Sequence, residues 1–208
     1  MQVLDSKELA LFENRAPRRA MFAHEPTVLG NIYNEECNLA VWQRDISTDV
    51  LQSISDWVAS EPMIAFTQIA SADNTVAKLA KAYGESRQLV AFYQHIEQLV
   101  DMFCCLFDLK EAGVRLTRMD TRMCPRFHVD RIPCRLITTF QGQGTQWLSD
   151  NEQNFSHSSQ PVISQLNRTD VALVKGSGWQ GNENGALIHR SPAPMGHEQR
   201  LLLTLDFT

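Results

Sequence analysis

The residues most able to do chemistry in this chain lie in one short stretch, Cys124 to Asp130, reading Cys-Pro-Arg-Phe-His-Val-Asp. On a strand, side chains alternate faces, so His128 and Asp130 would point one way while Phe127 and Val129 point the other. An imidazole beside a carboxylate is two-thirds of the facial triad that leaves open positions on a non-haem iron. His189, at the end of the apolar run Gly185-Ala-Leu-Ile-His, is the candidate third ligand. Arg200 opens the final strand eleven residues later, across a loop marked by Pro192, Pro194 and Gly196. The strands ending at His189 and starting at Arg200 are therefore expected to be antiparallel neighbours.

On the final strand, Arg200, Leu202, Thr204 and Asp206 share one face, and Leu201, Leu203, Leu205 and Phe207 share the other. If the second set packs on helices, Arg200 points inward. An unpaired buried charge is unfavourable, so an inward guanidinium needs an anion. A carboxylate held bidentately is its natural partner. The competing reading is a structural salt bridge, to Asp206 or Glu198. For His128, Asp130 and His189 the competing readings are a strand-end pair bonded to backbone and a turn histidine before Ser191-Pro192.

The cysteines supply a rival chemistry. Cys124 and Cys134 flank the His-x-Asp pair, and thiolates with a histidine are zinc ligands. Their spacing is not Cys-x-x-Cys, yet Cys124 shares the face of His128 and Asp130 if the strand is regular. Cys104 and Cys105 fall on a helix and point about 100° apart, which suits packing better than chelation. His95 lies on an apolar helical stripe and reads as a satisfied histidine. His157 and His197 fall in loops without a nameable partner.

The elements that must position these residues divide at Gly113. Before it, residues 38 to 46 and 63 to 69 read as strands, and Arg15 to Ala20 as a connector. Ser47 caps a helix whose apolar spacing runs through Val58 and stops at Glu61-Pro62. Asn74 to Tyr83 reads as a short helix ending at Gly84. Ser86 to Leu109 has a broad apolar stripe, from Leu89 to Phe107, and reads as a core-facing helix.

After Gly113 the pattern alternates with period two and carries many turn signals. Strands are expected at 114–119, 127–130, 135–141, 145–148, 170–175, 186–189 and 200–207. Ser156 to Pro161 reads as a polar loop. Helices first and then about seven or eight short strands imply an α+β chain, a sandwich or barrel backed by helices. A single domain over 1–208 is expected, with 1–112 mainly helical support holding one or two strands and 113–208 forming the barrel.

Composition sets the outer limits. The chain has 208 residues, 43% hydrophobic and 21% charged, enough for one sizeable core. A net charge of −5 argues against nonspecific nucleic-acid binding and against an anionic membrane surface. No apolar run approaches the roughly 20 residues of a membrane span. The N-terminus lacks a basic start followed by an apolar stretch, so no signal peptide is expected. Five cysteines without an export signal imply reduced thiols in a cytoplasm.

The order His128-x-Asp130, distal His189 and then Arg200 resembles the iron(II)/2-oxoglutarate-dependent dioxygenases, over residues 113 to 208. The resemblance implies a double-stranded β-helix, a jelly-roll or cupin-like barrel, with the N-terminal helices packed on it. It implies iron(II) held by His128, Asp130 and His189, and Arg200 binding the far carboxylate of 2-oxoglutarate. The implied reaction couples decarboxylation of 2-oxoglutarate to succinate with oxidation of a bound substrate. Many members carry a serine or threonine two residues after the arginine. Leu202 stands there in this chain, so a second carboxylate contact is expected from Thr204 or Thr138. The whole chain also resembles a bacterial family without an assigned function that shares the Cys-Pro-Arg-Phe-His-x-Asp core and the Gly-x-Gly-Thr-x-Trp segment, Gly142 to Trp147. That likeness implies no activity.

Two readings stand beside the oxygenase: a zinc-holding protein without oxidative turnover, and a cupin-like module that senses a metal or small anion. Arg126, Arg131, Arg135 and Trp147 are expected near the barrel mouth, where they would suit an anionic or aromatic group. Trp147 and Trp179 read as barrel packing or rim rather than as substrate platforms.

Overall fold

The computed structural model describes residues 18–120, 124–149, 162–193 and 199–208. Among the described residues, ten strands form two sheets. The large sheet has seven strands, in the order β1 (Arg19–Ala23), β2 (Cys37–Trp42), β8 (Val171–Lys175), β5 (Cys134–Gln141), β10 (Arg200–Asp206), β4 (Ala112–Met119) and β3 (Ala65–Ala70). The small sheet orders β7 (Val162–Gln165), β6 (Gln146–Ser149) and β9 (His189–Arg190). Within the large sheet only β1 and β2 pair in parallel.

Among the described residues, three α-helices back the large sheet: α1 (Thr48–Ser60), α2 (Ala72–Tyr83) and α3 (Arg87–Phe107). Their ends follow local chemistry. The Ser47 and Ser86 hydroxyls accept from the amides of Val50 and Leu89, satisfying otherwise orphaned donors of α1 and α3. Gly84, at φ +90°, ends α2 in a conformation that side chains resist. A 3-10 helix, Pro26–Tyr33, crosses beside β2.

Period-two alternation sorts the large sheet into two cores. Leu136 and Phe140 of β5 and Leu201, Leu203 and Leu205 of β10 pack with Phe92, Ile96 and Phe103 of α3 in one cluster. Phe92 meets Phe140 edge-on at 4.8 Å. The opposite face turns towards the small sheet: Leu39, Val41, Ile137 and Val174 pack with Trp147 and Leu187. Arg200, Leu202 and Thr204 lie on this inner face, as expected if the leucines of β10 cover the helices.

Several expectations need correction. The strands holding His189 and Arg200 are not neighbours: β9 pairs with β6, β10 pairs with β4 and β5, and the two face each other across the barrel. The expected strand 127–130 is reduced to one bridge, His128 with His189, which adds a fourth rung to the small sheet. The expected strand 186–189 starts only at His189. The first half supplies three strands to the large sheet rather than one or two, because β1 begins at Arg19, inside the stretch Arg15 to Ala20 read as a connector. Ser156 to Pro161 lies outside the described residues, as do His157, His197 and Glu198. No helix among the described residues is long and apolar enough to cross a membrane.

Candidate metal centre

The His128–His189 bridge builds the site. Each residue's amide donates to the other's carbonyl at 3.0 Å, so the two imidazoles are brought side by side, with ring centroids 4.6 Å apart. Nonlocal pairing of this kind joins residues 61 positions apart in sequence. After Val129 the chain leaves the bridge and turns Asp130 back towards both rings. Asp130 Oδ1 lies 3.7 Å from His128 Nε2, and Oδ2 lies 3.7 Å from His189 Nε2. One donor atom from each of the three residues falls within 4.8 Å of the others.

The Nδ1 atoms explain the orientation of the rings. His128 Nδ1 lies 3.0 Å from the Arg126 carbonyl and His189 Nδ1 lies 3.2 Å from the Leu187 carbonyl. A carbonyl only accepts, so each bond assigns the proton to Nδ1 and leaves the Nε2 lone pair facing the cluster. Burial pushes the His189 imidazolium down to about 4, against the attraction of Asp130. A neutral imidazole is the form that ligates a metal.

Asp130 is clamped from behind. Arg135 Nη1 donates to its Oδ2 at 2.9 Å, while Nε and Nη2 of the same guanidinium donate to Asp206 at 2.6 and 3.0 Å. Burial opposes the charge on Arg135, but the bond to Asp206 and the charges of Asp130 and Asp206 outweigh it, and its pKa is raised. The backbone of Asp130 is held as firmly: its carbonyl accepts from the Ser177 amide at 2.8 Å. A Cβ on Gly176 would sit 2.7 Å from that carbonyl and closer still to the Ile132 carbonyl, so only glycine allows this approach.

Arg200 lies in the same pocket as His128 and His189. The pocket encloses about 590 Å³, with open solvent at its mouth included. Arg200 is buried and faces hydroxyls rather than carboxylates. Nη2 donates to Thr145 Oγ1 at 2.9 Å and Thr139 Oγ1 at 3.1 Å, Nη1 donates to Ser191 Oγ at 3.3 Å, and Nε has no partner. Burial lowers its pKa to about 10. The salt bridge weighed for Arg200 is not made to Asp206, which Arg135 holds.

Thr138 is the residue that the fold moves away from the site. It shares the helix-facing side of β5 with Leu136 and Phe140, whereas Arg135, Ile137 and Thr139 face the pocket. Thr204 does line the pocket, and its buried hydroxyl has no hydrogen-bond partner. Cys134 is also on the helix-facing side, and burial pushes its thiol up, away from the thiolate a metal needs. Cys124 lies at the pocket wall but is outside the cluster of donor atoms. Trp147 is buried against Phe22, which bears out its packing role. Trp179 joins Tyr33 and Phe107. Arg126 and Arg131, close in sequence to His128 and Asp130, are exposed.

Thr139, Thr145 and Ser191 were not anticipated. Thr139 shares a face with Arg135 by simple alternation and was legible to that extent. Thr145 and Ser191 reach Arg200 only through the stacking of the two sheets.

The donor set is therefore two imidazoles and one clamped carboxylate, with a buried guanidinium in the same pocket. Solved structures with the same architecture include two dioxygenases for auxin oxidation. The rice protein is 10% identical, with a TM-score of 0.52 over 81% of this chain and 73% of its own. The Arabidopsis thaliana protein, solved as a complex with 2-oxoglutarate, is 10% identical, with a TM-score of 0.53 over 91% of each chain. At such identity the likeness concerns the fold, which is the double-stranded β-helix of the iron(II)/2-oxoglutarate dioxygenases. No curated protein matches the sequence. Residues 23–206 match the model of a family described as a protein of unknown function, DUF1826, and the chain belongs to that family.

Proposed function

We propose that this protein is an iron(II)/2-oxoglutarate-dependent oxygenase. His128, Asp130 and His189 would hold the iron, and Arg200 would hold the far carboxylate of 2-oxoglutarate. The observation that carries this reading is Arg200: a buried guanidinium, paired with no carboxylate among the described residues, in the pocket of a His-Asp-His cluster. A protein that only holds a metal leaves that charge without a purpose. A dicarboxylate bound between cluster and arginine neutralises it.

The donor types suit iron(II), which favours two histidines and one carboxylate with open positions. When bound, iron(II) and 2-oxoglutarate supply activation of O2 and oxidation of a substrate bond. The chain's own residues supply position and electrostatics. The carbonyls of Arg126 and Leu187 hold the rings with Nε2 towards the cluster. Arg135 holds the Asp130 carboxylate in orientation. The Thr139, Thr145 and Ser191 hydroxyls fix the Arg200 fork, so an incoming carboxylate meets donors already in place. Leu202, where many relatives carry a hydroxyl, lines the pocket as an apolar wall. All five thiols are unpaired, which fits a reducing cytoplasm.

The test is an anaerobic titration of the metal-free protein with iron(II) and then 2-oxoglutarate, read by a visible metal-to-ligand charge-transfer band, with Arg200→Ala alongside. The expected result is a band in the wild type that needs far more 2-oxoglutarate in the variant. Absence of a band together with tight zinc binding would overturn the oxygenase reading in favour of a zinc-holding barrel.

A further inference from the structure

The geometry points to a second anion subsite, formed by Arg115 and Thr204, that receives a carboxylate or phosphate group of the substrate. This inference rests on the oxygenase reading, in which Arg200 already serves the co-substrate.

Four arginines line the pocket, and three of them are engaged. Arg135 is bound to Asp130 and Asp206. Arg190 donates to Gln146 Oε1 at 2.8 Å and lies over the Phe127 ring. Arg200 is fixed by three hydroxyls. Arg115 is exposed and has no hydrogen bond or ion pair among the described residues. Its cross-strand partner on β10 is Thr204. Residues opposite each other in a ladder project from the same face, with Cβ atoms roughly 5 Å apart. Thr204 on β10 and Thr67 on β3 both stand opposite Arg115, and of the two only Thr204 is buried. Thr204 is 7% exposed and its hydroxyl makes no hydrogen bond. A buried, unsatisfied hydroxyl is unfavourable unless a ligand completes it. One free guanidinium beside one free hydroxyl suits an anionic oxygen, which accepts from both.

The place of this pair separates it from the Arg200 site. Thr204 is four residues from Arg200 along β10, about 13 Å at the usual strand rise. It is two residues, about 7 Å, from Asp206, which shares Arg135 with Asp130. Arg115 and Thr204 thus flank the metal end of the pocket. The flank is open. Ala65, Thr67 and Ile69 of β3 continue the inner face beyond Arg115 and Thr117, and all three are exposed. A substrate entering over this shelf would set its anionic group on Arg115 and its reacting carbon towards the metal cluster.

The test is calorimetric. Protein carrying metal and 2-oxoglutarate, without O2, is titrated with inorganic phosphate and separately with acetate. The wild type, Arg115→Gln, Thr204→Val and Arg200→Gln are compared, with 2-oxoglutarate affinity measured for each. Binding of one probe by the wild type, weakened at least tenfold in Arg115→Gln and several-fold in Thr204→Val, with 2-oxoglutarate affinity unchanged within twofold, supports the subsite. Preference between the probes then names the anion. Equal binding by wild type and Arg115→Gln, or no binding of either probe by the wild type, overturns it. So does loss of 2-oxoglutarate in Arg115→Gln but not in Arg200→Gln, which would exchange the two roles. Repeating the titration on metal-loaded protein without 2-oxoglutarate keeps the outcomes separate: if 2-oxoglutarate fails to bind at all, the oxygenase reading falls while the Arg115 comparison still decides the subsite.

Discussion

Arg135 grips Asp130 and Asp206 with one guanidinium, donating from Nη1 to the first at 2.9 Å and from Nε and Nη2 to the second. Because Asp206 anchors the fork, Arg135 acts as a fixed strut beneath a candidate metal ligand rather than as a surface ion pair. Arg135→Gln is expected to weaken metal binding by roughly 10- to 100-fold, the usual effect of losing a group that orients a ligand. Asp206→Asn should weaken it less, since the contact to Asp130 survives. Competition with a chromophoric chelator measures both, and equal affinity for all three proteins would remove the strut.

His189→Ala is expected to abolish metal binding and leave the fold intact. Its pairing with His128 runs through backbone groups that alanine retains. Metal stoichiometry and far-ultraviolet circular dichroism check the two halves of this statement. Stoichiometric metal retained by the variant would eliminate His189 as a ligand.

The same histidine makes the metal-free protein acid-sensitive. Burial pushes its pKa in the folded state down to about 4, whereas an unfolded histidine titrates near 6.5. Below pH 6.5 the unfolded chain takes up a proton that the folded chain refuses. Stability from neutral His189 is thus fully present above pH 6.5 and is lost as pH falls towards 4. Urea midpoints of the metal-free protein should decline between pH 7 and pH 5, and the decline should be shallower in His189→Gln. Identical slopes would mean that this burial does not govern the acid limb.

Two glycines separate stability from metal affinity. Gly176→Ala forces a Cβ against the carbonyls of Ile132 and Asp130, and overpacking of this kind costs about 1–3 kcal/mol. Because Asp130 must shift, metal affinity should fall as well. Gly181, at φ +79° with open space around its Cβ position, lies away from the cluster. Gly181→Ala should cost about 1–2 kcal/mol through backbone strain alone, with metal affinity unchanged. Urea unfolding and a metal titration on each variant provide the comparison.

Thr145→Val removes one acceptor from the buried Arg200 fork without changing its charge. The expected effect is roughly tenfold weaker 2-oxoglutarate binding, the size of one lost hydrogen bond to a charged group. Thr138→Val, on the other face of β5, should leave that affinity unchanged. Titration of the charge-transfer band distinguishes them.

The sequence by itself determined the local elements and the identity of the ligand candidates. The apolar stripe from Leu89 to Phe107 demanded a helix against a core, and the alternation from Leu201 to Phe207 set Arg200, Leu202 and Thr204 on one face. Those are short-range consequences of helical and strand periods, and His128, Asp130, His189 and Arg200 could be named from type and order. Tertiary structure alone decided which of these meet. His128 and Asp130 converge through a bridge and a turn, not through strand alternation. His189 and Arg200, eleven residues apart, belong to opposing sheets. The hydroxyls around Arg200 come from β5 and from residues 145 and 191, and the free guanidinium of Arg115 meets Thr204 across a ladder joining residues 89 positions apart. Pairing register and sheet stacking arise from nonlocal burial, so a threonine that completes a site looks in the sequence like any other threonine on a strand.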